Sequence, residues 1–209
     1  MLQISQLFYF KQGTTMNDLI KDALKSKSLT FPEFLAKAEW KVNSGEGIQP
    51  DLLEYTKLNI HRMKRILKTY TPSEEIAEKL KRVEREMTWM VITEDWCGDS
   101  AQNLPYIYKI AELSDKIRLL IIERDSNLEI MDQYLTLGAR SVPKLVCFDD
   151  REHELFQWGA RPKGAAELIK NLKAEGIEKE KMIEKLHLWY ANNKGKEIEG
   201  EFSELIDRK

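Results

Sequence analysis

The spacing of apolar residues predicts helices throughout the first third of the chain. Residues 17–69 show only helical periodicity, which a segment with two glycines and a proline at 45–50 divides into two amphipathic stretches. The segment Thr30 to Glu33 combines a capping box with an early proline, so it predicts where the first stretch begins. A second capping box, Thr71 to Glu74, predicts the start of another helix. The N-terminal portion is therefore expected to be all-helical.

The middle of the chain predicts a mixed sheet. Short apolar runs with β-branched residues at Met87 to Thr93 and Ile117 to Ile122 flank an amphipathic helical stretch, which is typical of a parallel strand pair with a crossover helix. The runs Lys144 to Phe148 and Glu154 to Trp158 predict an antiparallel hairpin. A helix from Leu128 to Leu135 is expected between the parallel pair and the hairpin.

Helical periodicity returns after the hairpin. One amphipathic helix is predicted from Ala165 to Leu172, a second follows Gly176, and a short charged helix is predicted from Ile198. The fold class is therefore α/β, with a four-stranded mixed sheet. The expected parts of the chain are an N-terminal helical extension at 1–70, a strand-containing domain at 71–175 and a C-terminal helical extension at 176–209.

Composition indicates a globular protein and argues against two classes of partner. The 209 residues are 42% hydrophobic and 33% charged, and no run approaches the roughly 18 apolar residues of a membrane-spanning helix. The net charge of −2 supplies no excess positive potential for a nucleic-acid backbone. Neither a nucleic acid nor a membrane is expected as a partner, and the oligomeric state stays open.

Cysteine usage indicates a reducing compartment. Only Cys97 and Cys147 occur, which is too few for a disulfide framework, so a cytoplasmic location is expected. The apolar streak from Leu7 to Phe10 lacks the basic start, the long apolar run and the cleavage site of a signal peptide. Because a helix-like pattern begins directly after Met16, whether residues 1–15 are native stays open.

The remaining polar patterns favour structural roles. The three histidines fall in different predicted elements, with no cysteine or carboxylate at metal-ligand spacing, so no metal site and no cofactor are expected. A basic cluster on the second helix is expected to be a solvated face, and the alternative is a site for an acidic partner or an anionic substrate group. The members of this cluster are Lys57, His61, Arg62, Lys64, Arg65 and Lys68.

One stretch, Thr93 to Ser100, carries the candidate chemistry. Cys97 lies where a buried strand gives way to a helix, and the unpaired N–H groups and dipole of a helix start favour a thiolate. The neighbouring Trp96, Gly98 and Asp99 are typical of a surface loop. We therefore expect Cys97 to be an exposed thiol, and the alternative is an inert cysteine in the core.

The order of elements from Met87 to Leu172, with Trp96-Cys97-Gly98 at the first strand-to-helix junction, resembles the thioredoxin fold. A second landmark agrees, because Ser141-Val142-Pro143 precedes the third strand, where thioredoxin-like proteins carry a cis-proline beside the reactive cysteine. The resemblance implies that Pro143 packs near Cys97. The flanking helices resemble those of a bacterial branch known only as thioredoxin family proteins, for which the likeness carries no defined activity.

The chain departs from thioredoxin where dithiol chemistry needs particular residues. Ser100 stands at the position of the second cysteine, and a hydroxyl cannot attack a mixed disulfide from within. Val91 replaces a buried aspartate thought to relay protons, and Ile121 replaces a lysine. Cys147 lies inside a strand, roughly 13 Å beyond Pro143, which exceeds the reach of a disulfide, so it is expected in the core.

The polar groups around Cys97 favour moderate activation of the thiol. Helix-start amides and the Ser100 hydroxyl can hydrogen-bond to a charged sulfur and lower its pKa. The Asp99 carboxylate repels a neighbouring thiolate and acts in the opposite direction.

Two functions are compatible with this resemblance. In the first, Cys97, assisted by Ser100, forms mixed disulfides with a protein or a low-molecular-weight thiol, and an external thiol resolves them. In the second, the same cleft is a non-catalytic module that binds a peptide or protein partner. Whether Ser100 is natural or replaces a cysteine by design stays open. The expected substrate contacts are Trp96, Gly98, Asp99, Val142 and Pro143.

Overall fold

The computed structural model of the protein describes residues 15–207, so the apolar streak near the N-terminus lies outside the described residues. The predicted capping box at Thr30 and Glu33 is present. No helix in this range is both long and apolar enough to cross a membrane. The elements are α1 (Asp18–Ser26), α2 (Phe31–Ser44), α3 (Leu53–Thr69), α4 (Glu74–Lys81), β1 (Met87–Thr93), α5 (Gly98–Ala111), β2 (Ile117–Glu123), α6 (Leu128–Met131), β3 (Lys144–Asp149), β4 (Glu154–Gly159), α7 (Lys163–Ala174), α8 (Lys179–Asn193) and α9 (Lys196–Asp207).

The four strands form one mixed sheet in the order β2-β1-β3-β4, which confirms the predicted fold class. β1 pairs in parallel with β2 and antiparallel with β3, and β3 and β4 form the predicted hairpin. In this register Val91 lies opposite Ile121 on one side and Leu145 on the other, and all three are fully buried. Two of the three positions that distinguish this chain from thioredoxin therefore lie side by side on neighbouring strands, buried from solvent.

Alternate residues of the strands point to opposite faces, and each face has its own apolar cluster. The first face, which holds Trp89, Val91 and Cys147, packs against helices α3, α5 and α9. The second face, which holds Met90 and Ile92, packs against α1 and α6. Because both faces of β1 are covered, its sequence is a continuous apolar run instead of an alternating one.

The two cysteines lie on opposite faces of the sheet. Cys147 is fully buried in the first cluster, with its sulfur 3.6 Å from that of Met87. Cys97 belongs to the second cluster. The prediction that Cys147 is a core residue is confirmed, and the sheet separates it from Cys97.

The start of α4 and the end of α6 are among the helix boundaries that differ from the predicted ones. The N-cap of α4 is Ser73 and not Thr71, because the Ser73 hydroxyl accepts a hydrogen bond from the Ile76 N–H. Helix α6 ends at Met131 and does not continue to Leu135. The residues that follow it form tight turns, closed by reciprocal backbone hydrogen bonds between positions 136 and 139.

The C-terminal helix α9 completes the core, whereas the sequence predicts only a short charged helix there. It has 12 residues and buries Ile198, Phe202 and Leu205 in the first cluster. The Phe202 ring lies 5.1 Å from the ring of Trp89 and 5.6 Å from that of Trp158. The division of the chain near residues 70 and 175 stays a prediction, but α9 shares its apolar cluster with the sheet.

Glu201 anchors α9 to the segment after the hairpin, and its replacement tests this anchor. Its buried carboxylate accepts hydrogen bonds from the Trp158 indole N–H at 2.6 Å and from the Lys163 backbone N–H at 2.7 Å. Because Glu201→Ala leaves both donors without this acceptor, we expect urea denaturation to show a loss of roughly 2–4 kcal/mol in unfolding free energy.

The matched control is Glu204→Ala, on the exposed side of the same helix. Glu204 lies 3.9 Å from the Lys163 ammonium, an exposed ion pair that we expect to contribute less than about 0.5 kcal/mol. Equal losses in the two variants would contradict the anchoring role of Glu201.

Candidate functional site

Cys97 lies at the junction of β1 and α5, as predicted. It is the N-cap residue of α5, and its carbonyl accepts a hydrogen bond from the Ala101 N–H at 3.1 Å. Cys97 is only 9% exposed and packs in the second apolar cluster with Val142 and the partly buried Trp96. The expectation of an exposed thiol is therefore wrong, because segments distant in sequence pack over the loop.

The loop before β3 forms a wall beside the Cys97 sulfur. The Val142–Pro143 peptide is cis, and the Cys97 thiol donates to the Val142 carbonyl with a distance of 3.4 Å between sulfur and oxygen. Gly159 supports this loop from β4: its φ is 127°, and a Cβ at this position would lie 2.2 Å from the Pro143 carbonyl oxygen. Only glycine fits there. The proline loop thus lies against Cys97, as the resemblance implies.

Ser100 contributes a buried hydroxyl directed at the thiol. The Thr93 hydroxyl donates to the Ser100 oxygen at 2.6 Å, and the Ser100 hydroxyl donates to the Cys97 sulfur. The backbone N–H groups of Asp99 and Ser100 also donate to this sulfur. These donors form a short relay from the end of β1 to the thiol, in which sequence reasoning gave Thr93 no role.

Burial dominates the pKa of the Cys97 thiol and raises it above its ordinary value. The Asp99 carboxylate raises the pKa further, whereas the Ser100 hydroxyl and the two backbone N–H groups lower it. The activation expected from the sequence is therefore wrong in sign, because the sulfur is desolvated. The thiol is neutral at neutral pH.

Asp99 is held by groups that the sequence does not connect with it. The Arg161 guanidinium lies 2.5 Å from its carboxylate, and the Tyr190 hydroxyl donates to it at 2.9 Å. Asn103 in turn donates to the Tyr190 oxygen at 3.0 Å. Although burial acts to lower the pKa of Arg161, Asp99 and Cys97 raise it, so Arg161 is charged next to the thiol. No local motif marks Arg161 or Tyr190.

Gly98 lies beneath two further side chains, Arg62 of α3 and His187 of α8. An Arg62 nitrogen lies 3.0 Å from the His187 Nε2. A Cβ built on Gly98 would lie 3.7 Å from both Arg62 Nη1 and His187 Cε1. Arg62 was expected on a solvated face, but it is half-buried beside Gly98. Two helices outside the strand-containing section therefore contribute to this site.

A buried carboxyl, Glu94, lies in the loop between β1 and Cys97. It accepts a hydrogen bond from the Asp125 N–H at 2.7 Å, and its backbone carbonyl accepts one from the Cys97 N–H at 3.3 Å. Burial raises the pKa of Glu94 to about 7, and the carboxylates of Asp125, Glu123 and Asp95 add to the increase. Residues 15–207 contain no group of three or more His, Cys, Asp or Glu side chains placed to hold a metal ion.

An N-capping cysteine on the crossover helix, a cis-proline loop against its sulfur and this strand order together define a thioredoxin-like protein. A family model described as thioredoxin matches residues 45–173, and the chain belongs to this family. No curated protein matches the chain.

Two solved structures share the fold. A protein of unknown function from Pseudomonas aeruginosa is 18% identical, with a TM-score of 0.58 over 88% of this chain and 95% of that chain. An HIV epitope-scaffold is 18% identical, with a TM-score of 0.60 over 90% of this chain and 98% of that chain. At this level of identity the likeness shows the fold alone, but it extends to helices outside residues 45–173.

Replacing Ser100 by alanine tests the hydrogen bond to the thiol. Because the Ser100 hydroxyl stabilises the charged sulfur, Ser100→Ala should raise the pKa of Cys97 further and slow its alkylation by iodoacetamide at pH 8 roughly tenfold. The measurement is the alkylation rate as a function of pH. Thr93→Val removes only the outer hydroxyl of the relay and should have a smaller effect. Equal rates in wild type and Ser100→Ala would contradict the bond.

The raised pKa of Glu94 predicts that the unfolding free energy depends on pH. Its pKa is about 7 in the folded state, against an ordinary value of 4.5, so the folded state holds an extra proton between these values. The stabilisation from that proton is complete below about pH 4.5 and is lost as pH rises through 7. Glu94→Gln should therefore flatten the decline in unfolding free energy between pH 5 and 8 in urea titrations. The exposed Glu129→Gln should leave the decline unchanged, and an identical decline in both variants would reject this assignment.

Proposed function

We propose that the protein is a monothiol thioredoxin-like protein in which Cys97 carries out thiol–disulfide exchange. The Cys97 thiolate attacks one sulfur of a disulfide, a new S–S bond forms to that sulfur, and the other sulfur leaves as a thiolate with the bonding electron pair. An external thiolate then attacks the mixed disulfide and restores Cys97. The cycle requires no cofactor and no metal.

The observation that carries this proposal is the convergence of hydrogen-bond donors on one sulfur. The Ser100 hydroxyl and the N–H groups of Asp99 and Ser100 all donate to Cys97. Such donors stabilise negative charge on sulfur, so they favour Cys97 both as the attacking thiolate and as the leaving group during release. A cysteine that served only as an apolar filler would not need them.

The surroundings of Cys97 supply surfaces for a substrate. In this proposal the peptide groups before Pro143 pair with an extended substrate, while Trp96, Gly98 and Asp99 border the reacting sulfur. In the resting state the Val142 carbonyl accepts a hydrogen bond from the Cys97 thiol. This hydrogen bond is lost when Cys97 ionises, because the thiolate has no proton to donate. The substrate class is a protein or low-molecular-weight disulfide, and the reducing cytoplasm supplies the external thiol.

Cys147 takes no part in the proposed cycle. It lies on the opposite face of the sheet from Cys97 and is fully buried. Release of a bound thiol therefore depends on a second molecule.

Reaction with glutathione disulfide tests the proposal directly. At pH 8 the wild-type protein should gain one glutathione on Cys97, seen by mass spectrometry of the intact chain and of its peptides, and dithiothreitol should remove it. Cys147→Ser should react like wild type, and Cys97→Ser should not react. If Cys97 stays unmodified by disulfides and alkylating reagents while the denatured chain reacts, the proposal is wrong.

Installing the missing thiol tests the one-thiol mechanism. Ser100→Cys places a second sulfur within reach of Cys97, so this variant should expel a bound glutathione without added thiol and form an internal disulfide. The wild-type mixed disulfide should persist at least roughly tenfold longer under the same conditions. Persistence of the adduct in both proteins would show that residue 100 does not decide resolution.

A second candidate function follows from the burial of Cys97. A thiol that is 9% exposed with a raised pKa also suits a module that recognises a peptide or protein at the same wall without reacting. In that case the Cys97→Ala variant still binds the partner, as measured by calorimetry. The exchange mechanism, in contrast, requires the Cys97 sulfur.

A further inference from the structure

Arg62 carries a positive charge that no acidic side chain balances within the described part of the chain. Its Nη1 donates to the Asn59 side chain at 3.1 Å, and its Nη2 contacts the His187 Nε2 at 3.0 Å. No carboxylate in residues 15–207 lies within ion-pair distance of it. Burial and the neighbouring Arg65 lower the pKa of Arg62, as expected for a cation without a counter-ion.

His187 holds a buried N–H with nothing to accept it. A guanidinium only donates, so the His187 Nε2 must accept from Arg62, and the proton of the neutral ring is then on Nδ1. Burial and the charge of Arg62 lower the pKa of His187, which keeps the ring neutral, although Asp99 acts to raise it. The Nδ1 atom is buried and has no hydrogen-bond partner among residues 15–207.

Both groups meet over the residue that follows the reactive cysteine. Gly98 is partly exposed, and its missing Cβ would lie 3.7 Å from Arg62 Nη1 and 3.7 Å from His187 Cε1. The other nearby guanidinium, Arg161, is neutralised by Asp99 at 2.5 Å. Within this group of charges, therefore, Arg62 remains as the unbalanced positive charge next to Gly98, the residue that follows Cys97.

We infer that Arg62 and His187 form a binding site for a carboxylate of the thiol or disulfide that reacts at Cys97. A carboxylate supplies the negative charge that Arg62 lacks and the acceptor that the His187 N–H lacks. The preferred substrates are then small carboxylate-bearing thiols and their disulfides over neutral ones of equal size. This inference rests on the proposed function for its substrate, but the carboxylate site itself can be measured without any exchange reaction.

The first test compares a charged and a neutral alkylating reagent on the intact protein. Iodoacetate and iodoacetamide react by the same step, in which the Cys97 thiolate bonds to carbon and iodide leaves. Because only iodoacetate carries a carboxylate, the ratio of the two rates reports how strongly the site attracts a carboxylate. In Arg62→Gln this ratio should fall roughly tenfold. The matched control Arg65→Gln removes the same charge from an exposed position of α3, and its ratio should change less than about twofold.

The second test does not depend on the reactivity of the sulfur. In the Cys97→Ser protein, propionate should shift the Gly98 amide and His187 ring NMR signals in a saturable manner. Arg62→Gln should abolish saturation, whereas Arg65→Gln should preserve it. A linear, equal response in all three proteins would overturn the carboxylate site.

The outcomes separate the two proposals. Normal exchange at Cys97, with equal rate ratios in the two arginine variants and no saturable propionate signal, overturns the carboxylate site and leaves the proposed function intact. A sulfur that reacts with nothing, together with propionate binding that requires Arg62, rejects the proposed function and supports the carboxylate site. Preference for the charged reagent that depends on Arg62 supports both.

Discussion

The free energy of a negative charge on the buried Cys97 sulfur governs the exchange reaction that we propose. Burial of Cys97 opposes that charge more strongly than any other influence, and the carboxylate of Asp99 opposes it further. Against them stand the hydroxyl of Ser100 and two backbone N–H groups, which are fixed by the start of α5. In this chain a hydroxyl stands at residue 100, where dithiol thioredoxin-like proteins carry a second sulfur.

The two C-terminal helices contribute to the surroundings of Cys97 and to the core. Helix α8 brings His187 over Gly98 and Tyr190 onto Asp99, while α9 fills the first face of the sheet with Phe202. The half-buried Arg62, on the N-terminal helix α3, also lies next to Gly98. The family model matches residues 45–173, yet the groups that surround the thiol come from both sides of the central strands and from beyond that range.

Local sequence patterns predicted the strands closely, and the signal was clearest for β1 and β3, which are buried on both faces and are therefore apolar runs. The junction at Cys97 followed from the order of elements, the place of the proline loop from the resemblance to thioredoxin, and the core position of Cys147 from its distance along a strand. The relations of Asp99 with Arg161 and of Arg62 with His187 could not be predicted, since 62 and 125 residues of chain separate the partners. The prediction that Cys97 is exposed was wrong for the same reason. Tertiary packing determines which segments cover a loop, and the composition of the loop does not encode it.

Gly159 shows how a residue remote from the reacting atoms can determine the shape of their surroundings. It lies at the end of β4, and a single added carbon there would occupy the space of the Pro143 carbonyl oxygen. Any side chain at this position must displace the proline loop, and with it the carbonyl that meets the Cys97 thiol. The position of the proline loop thus depends on the absence of a side chain at residue 159, so a substitution there would change the surroundings of the Cys97 sulfur without altering any side chain that contacts it.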